Sequence, residues 1–392
     1  MCYNKTTLVA WKGGLTLLDL SAIPVVDNHC HPILLAQSMD ALNFRGYFTE
    51  GSDPSLAEQH VPNTVYYRWM LRQLATFYGC PATEEAVLAA RSRLDGDSLL
   101  ERHLRAANFD TLVLDPAFPQ PGVCYTPKRM GQLGHCRTVQ LLRLETLMQR
   151  LIVECGDFDE MCERYELSLV DLRAKGYCGF KSIVAYRGGL QVVERTKDEA
   201  VTAFNEARMA IRSDNLRISQ KPLIDYLLWI AFRQASEQGL PVQFHTGYGD
   251  SDTDMRLGNP LHLRDVLERG DLRGMKVVLL HESYPYTQLG AYLAAVYPHV
   301  YFDLSYTIPF VDRLDMLAFT RQALSVAPAS KLMYSSDGIH LPEMHWAGAL
   351  RGRSILGQAL DEMIEADEID EQDGYELARR ILRDTAYTVY EL

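Results

Sequence analysis

The sequence predicts a parallel α/β fold, a (β/α)8 barrel with a helical insertion after the first strand, and three observations predict it. Short β-branched, apolar runs recur eight times, helical patterns separate most of them, and ionisable residues stand where several of the runs end. The runs are Ile23–Asn28, Phe109–Asp115, Val139–Leu144, Gly179–Val184, Leu240–Phe244, Met275–Leu280, Val300–Leu304 and Lys331–Tyr334. Segments of that length and composition read as strands buried on both faces. Helical patterns cover Thr196–Arg212, Lys221–Gln238, Leu261–Arg269, Thr287–Val296 and Val311–Ala327, followed by Trp346–Ala366 and Glu371–Tyr390. Strands that alternate with helices build a parallel sheet. Eight of them in one chain favour closure into a barrel; an open doubly wound sheet is the alternative, because periodicity does not show closure.

One spacing departs from the pattern. About 80 residues separate the first two runs, where a βαβ unit needs roughly 30. The stretch, at about 33–108, carries its own helical patterns at Thr64–Tyr78, Thr83–Arg93 and Asp97–Ala107. A long excursion after a barrel strand lies at the catalytic face and commonly forms a cap. Without an internal repeat, a low-complexity linker or a shift in composition, residues 1–392 read as one domain with a helical cap.

Composition narrows the classes of function. The 392 residues are 47% hydrophobic and 23% charged, ordinary for a globular protein. The formal charge of −12 disfavours a nucleic-acid or anionic-membrane partner, since phosphate binding needs a basic face. The longest apolar stretch, Leu223–Phe232, is too short to span a bilayer and contains Asp225. The first twenty residues lack a continuous apolar signal region. Eight scattered cysteines form no CxxC pair, which fits small buried side chains in a reducing compartment. The expectation is a cytoplasmic protein acting on a small molecule; a homo-oligomer is compatible with it.

The chemistry sits at strand ends. The first run leads into Asp27-Asn28-His29-Cys30-His31, and residues i and i+2 of an extended chain point to one side, so His29 and His31 can reach one metal together. His245 ends a run, His281 ends another, Asp337 follows KLMYSS, and Lys181 lies within YCGFKS. Barrel enzymes assemble their sites at that end of the strands. A single histidine there is usually structural. The ordered set HxH, Lys, His, His, Asp is much harder to reach by accident.

With this set in place, the sequence resembles the amidohydrolase superfamily of metal-dependent hydrolases, which are TIM barrels. The resemblance runs from about Val25 to the closing LRDTAYTVYEL. It is strongest toward the branch fused to glutamine-synthetase-like domains in fungi and plants (FluG/nodulin type). The strings GFKSIVAYRGGL (179–190), VQFHTGYGD (242–250), LLHESYPYTQLGAYLAAVYPHVYFDLS (279–305) and LMYSSDG (332–338) carry it.

The resemblance implies that His29, His31 and Asp337 bind a first divalent ion, expected to be Zn2+. His245 and His281 would bind a second ion, or position substrate if there is one. Lys181 matches the position where two-ion members carry a carboxylated lysine bridging both ions. An unmodified Lys181 pairing with a carboxylate would mean a one-ion site, and a Schiff-base lysine would leave the histidines unexplained. Metal-activated water would attack a carbonyl, a second ion or His281 would polarise its oxygen, and Asp337 would shuttle the proton. Tyr186 and Arg187 follow the fourth strand and are candidate substrate contacts, as are Arg143 and His340; Arg187 would fork onto a carboxylate unless it is a solvated loop arginine. Arg143 and Glu145 could pair with each other or with histidines around the site, and Glu343 could gate or touch ligand.

The resulting expectation is an amidohydrolase that cleaves an amide-like C–N bond of a small, carboxylate-bearing substrate. The alternatives are a one-ion decarboxylase, lactonase or isomerase on the same barrel, or a non-catalytic binding module.

Overall fold

The computed structural model describes residues 18–35, 40–210 and 217–392. Eight parallel strands pair in chain order, β1 to β8. They are β1 (Val25–Cys30), β2 (Phe109–Leu114), β3 (Arg137–Arg143), β4 (Tyr177–Ser182), β5 (Pro241–Phe244), β6 (Lys276–Leu279), β7 (Val300–Ser305) and β8 (Leu332–Ser335). The architecture is the (β/α)8 barrel. β1 begins and ends two residues later than its apolar run, because Asn28, His29 and Cys30 are as fully buried as the valines before them.

The barrel closes between β1 and β8 by an unusual seam. Just beyond β8, Asp337 N donates to His29 O at 3.0 Å and His31 N donates to Gly338 O at 2.8 Å. Below these bonds the Asp27 carboxylate accepts from both the amide and the hydroxyl of Ser336.

The segment between β1 and β2 forms α1 (Ala41–Gly46), α2 (Val65–Tyr78), α3 (Glu84–Arg91) and α4 (Gly96–Ala107). Asp40, Thr64, Thr83 and Asp95 cap them, each side chain accepting from the amide three residues on. The insertion is fastened to the barrel by a buried ion pair. Arg91 Nε donates to Glu343 Oε1 at 2.5 Å, and the Tyr78 hydroxyl adds a bond of 3.2 Å to the same oxygen.

The remaining helices are α5 (Pro127–Gly134), α6 (Leu144–Glu154), α7 (Phe158–Leu169), α8 (Lys197–Ala210), α9 (Lys221–Glu237), α10 (Arg264–Leu267), α11 (Thr287–Val296), α12 (Arg313–Val326), α13 (Pro342–Glu365), α14 (Glu371–Arg379) and α15 (Thr385–Tyr390). α5, α6 and α7 had no counterpart among the predicted helices. The helix predicted over 261–269 is a 3-10 turn followed by the single turn of α10, since so short a segment cannot pay the nucleation cost of a longer helix. The segment 371–390 is interrupted by a π-turn over Arg380–Asp384; Arg383 within the turn and Tyr387 in α15 both reach Asp110. The last two residues predicted for the helix at 196–212 lie outside the described residues.

Two cores result. The larger joins the outer faces of the strands to the helices. The smaller fills the barrel with Val26, Val113, Leu141, Val278, Leu280 and Met333, and Ala386, Val389 and Tyr390 of α15 pack against them. Above this apolar layer lies a polar one containing Asn28, Gln243, Asp303 and Ser335, all fully buried. Among the described residues, no helix is long and apolar enough to cross a membrane.

Arg91→Leu leaves Glu343 buried without its cation and is expected to cost about 3–5 kcal/mol, measured by denaturant unfolding; a loss below about 1 kcal/mol would contradict the anchoring role. A second expectation concerns His299, which is nearly buried with neither ring nitrogen hydrogen-bonded. Burial, helped by Arg273 and Lys331, holds its pKa down at about 4. Between pH 6.5 and 4 the unfolded chain takes up a proton that the native imidazole refuses, so stability falls as pH falls through that window. His299→Leu should flatten this acid limb in Tm measurements, and identical pH slopes for the two proteins would refute the assignment.

Candidate metal centre

The C-terminal ends of β1, β6 and β8 bring three imidazoles onto one carboxylate. Asp337 Oδ1 lies 3.5 Å from His29 Nε2 and 3.6 Å from His31 Nε2, and its Oδ2 lies 3.2 Å from His281 Nδ1. His29 and His281 are buried, and the Asp337 side chain keeps 23% of its surface exposed, so the cluster opens toward solvent on the carboxylate side. Nitrogen and oxygen atoms of His29, His281 and Asp337 lie within 4.8 Å of one another and could hold a metal ion.

The unsatisfied atoms fit that use. Neither ring nitrogen of His281 makes a hydrogen bond to protein, and His29 Nδ1 has no partner. Buried polar atoms are normally paired, so a buried imidazole with Nδ1 beside a carboxylate and Nε2 without a partner has the character of a ligand. His31 donates from Nδ1 to the carbonyls of Asp115 and Phe118 at 3.3 and 3.0 Å, which leaves Nε2 unprotonated toward Asp337. A backbone acceptor on the far nitrogen is the usual way to fix a ligating imidazole. Burial holds all three rings neutral, His31 down to about 4 and the other two well below the ordinary histidine value, with Lys181 adding to the effect on both. Neutral imidazoles with a carboxylate suit zinc and related divalent ions.

Local backbone aims these groups. His281, Glu282 and Ser283 carry successive φ values of 61°, 55° and 47°, and Asp337 has φ of 49°. Such left-handed conformations in non-glycine residues are costly and cluster at functional sites. The turn is held by Glu282 N donating to Asp303 Oδ1 at 3.1 Å and by a Thr246–Ser283 hydroxyl contact of 2.8 Å. Gly247 meets the turn with φ of 75°, and a Cβ there would run into the Tyr284 carbonyl.

Lys181 and His245 border the cluster. Lys181 Nζ donates to His29 Nε2 at 3.4 Å, and burial lowers its ammonium to about 8 against the pull of Asp115 and Asp337. The His245 ring lies 4.2 Å from that of His281, while its Nε2 donates to the Tyr248 carbonyl at 2.6 Å. Tyr186 packs on His245 at 4.4 Å, and His340 stands between the rings of Tyr47 and Phe118 at 4.9 and 5.8 Å. Arg187 is half-buried with Nε unpaired.

Three pairings differ from expectation. Arg143 forks onto Asp115 Oδ2 at 2.8 and 2.5 Å rather than onto Glu145. Glu145 instead accepts from the Ser182 hydroxyl at 2.6 Å. Glu343 is buried in its ion pair with Arg91, which leaves no carboxylate there to gate the mouth.

Sequence reasoning passed over Asp115, although it ends its apolar run as the recognised residues end theirs. It also passed over Glu50, in the loop after α1, which lies near enough to Asp337, Tyr186 and Tyr248 to act on the charge of each. Burial, with the nearby Asp337 and Asp250 carboxylates, raises its carboxyl to about 7. Nothing in the spacing marks Glu50, because an insertion has no fixed register with the strands.

Known proteins share this arrangement of chain. The chain is 27% identical to the protein fluG of Emericella nidulans over 94% of its own length, and it spans about half (46%) of that relative. A crystal structure assigned as a metal-dependent hydrolase, from Lactobacillus casei, superposes with a TM-score of 0.84 at 28% identity, covering 95% of this chain and 96% of the other. A uronate isomerase from Thermotoga maritima shares the fold at 14% identity and a TM-score of 0.66, over 94% and 95% of the two chains. The amidohydrolase family model matches residues 156–392, which hold Lys181, His245, His281 and Asp337. The chain belongs to the amidohydrolase family.

Proposed function

We propose that this protein is a metal-dependent hydrolase that cleaves an amide-like C–N bond in a small substrate bearing a carboxylate. The observation that carries the reading is the meeting of His29, His31 and His281 on Asp337 at 3.2–3.6 Å, with both ring nitrogens of His281 and Nδ1 of His29 hydrogen-bonded to no protein group. In this reading these four residues hold a divalent ion, Zn2+ by the donor set. A bound ion of this kind lowers the pKa of water and polarises a carbonyl oxygen.

The chain's own groups do the rest. Asp337 takes the proton of the attacking water and hands it to the leaving nitrogen, the double task open to a partly exposed carboxylate at the centre of a site. The Tyr248 carbonyl fixes His245, and His245 packs against His281 at a 50° tilt to limit its rotation. Arg187, with a guanidinium nitrogen unpaired, receives the substrate carboxylate. Arg143 is spoken for by Asp115, so it supports His31 through the Asp115 main chain rather than meeting substrate. Tyr186 and His340 line the space beside the ion.

One observation favours a second reading. Lys181 Nζ hydrogen-bonds His29 Nε2 at 3.4 Å and His245 Nε2 is committed to the Tyr248 carbonyl, so one cluster of candidate ligands, His29, His281 and Asp337, forms among the described residues. A one-ion decarboxylase, lactonase or isomerase would use such a site equally well.

Chelator-stripped protein titrated with Zn2+ should show a rise in Tm, worth about 2.7 kcal/mol at one hundred times the dissociation constant, and His281→Ala should remove it. No rise with any divalent ion would favour a non-catalytic barrel. On a panel of N-acyl amino acids, lactones and uronic acids, turnover of an N-acyl amino acid is expected. Asp337→Asn should cut kcat by about 10²–10⁴-fold with circular dichroism unchanged. Undiminished turnover by that variant would sink the assignment, and activity confined to the other substrates would support the one-ion rivals.

A further inference from the structure

Directly beneath the candidate site, the polar layer inside the barrel is hydrogen-bonded to a residue from the far end of the chain. The Tyr390 hydroxyl, fully buried at the end of α15, donates to Asn28 Oδ1 at 3.1 Å and accepts from Gln243 Nε2 at 2.6 Å. Gln243 Nε2 also donates to the Asn28 carbonyl at 2.6 Å, which fixes the peptide plane leading into His29. Asn28 Nδ2 donates to the Tyr334 carbonyl at 3.1 Å and reaches Asp303 Oδ2 at 3.5 Å. Asp303 accepts in turn from Ser335 Oγ at 2.5 Å and from Glu282 N at 3.1 Å.

The members of this layer sit beside the site in sequence. Asn28 adjoins His29, Gln243 precedes His245 by two residues, Glu282 follows His281, and Ser335 precedes Asp337 by two. Four strand ends that carry candidate ligands or neighbours are thus tied within two residues of those side chains. Well-packed apolar groups would fill the same volume with less desolvation. Although Gln243 Oε1 has no partner, hydrogen bonds in a low-dielectric interior fix direction instead, and direction is what a ligand cage requires.

We propose that Tyr390 is a positioning residue for the metal centre: its hydroxyl orients the Asn28 amide, and through Asn28, Gln243 and Asp303 it sets the aim of His29, His281 and Asp337. The proposal rests on the metal-binding reading above. It separates two roles of α15, the apolar stopper made by Ala386, Val389 and the tyrosine ring, and the directional contact made by one oxygen.

Calorimetric titration of chelator-stripped protein with Zn2+ tests it. Tyr390→Phe keeps the ring and loses the oxygen; its Zn2+ dissociation constant should rise about tenfold or more, the range found when groups behind metal ligands are removed. Gln243→Met, which breaks the same network from β5, should raise it likewise and serves if the first variant folds poorly. Val389→Ala loosens the stopper by packing alone and should lower Tm while leaving the dissociation constant unchanged. An unchanged constant in both network variants overturns the proposal while the metal reading stands. An equal rise in Val389→Ala also overturns it, since packing alone would then set the affinity. Absence of Zn2+ binding by the unaltered protein overturns both.

Discussion

The seam between the first and last strands is the constraint on which the site depends. A sheet that closes must join its ends, and here the joint is made above the ladder, by Asp337 N to His29 O and by His31 N to Gly338 O. These bonds place the loop after β8 against the end of β1, so the groups that complete the barrel are the same groups that bring a carboxylate to two imidazoles. Asp27 performs the matching task one level down through Ser336. Closure and site assembly are one event, and a chain that failed to close would have no cluster.

Burying so many ionisable groups is tolerable because the imidazoles remain neutral. His29, His31 and His281 each lose their charge to burial, which spares the desolvation of three cations and leaves lone pairs directed at one point. Lys181 and Arg143 supply positive charge near Asp115 and Asp337. The insertion adds Tyr47 and Glu50 at the mouth and is held by the Arg91–Glu343 pair to the helix that follows Asp337. The roof therefore rests on the same polypeptide that carries the central carboxylate.

The strands were legible because burial on both faces forces continuous apolar runs, and six of the metal-competent or ionisable residues were legible because they interrupt those runs at one end. What lies around them was harder to read. Arg143 pairs with Asp115 across neighbouring strands, a contact set by register that periodicity does not contain. Glu343 reads as a loop carboxylate until Arg91, 252 residues earlier, is brought beside it. The helices α6 and α7 escaped notice although their apolar residues are buried in the main core, because charged residues are interleaved with them along the sequence. Tyr390 looked like the end of an amphipathic helix, and its hydroxyl acquires meaning only once the barrel is closed around it.

The left-handed turn at His281, Glu282 and Ser283 has a further consequence. Three successive residues accept a conformation that disfavours any side chain, at about 1–2 kcal/mol each, where glycine would sit with ease. Glycine would forfeit the imidazole, and at the third position the hydroxyl that meets Thr246. This corner of the molecule thus trades thermodynamic comfort for a fixed bearing of one ring, and mutations chosen only to relax the backbone there would be expected to blunt whatever chemistry that bearing serves.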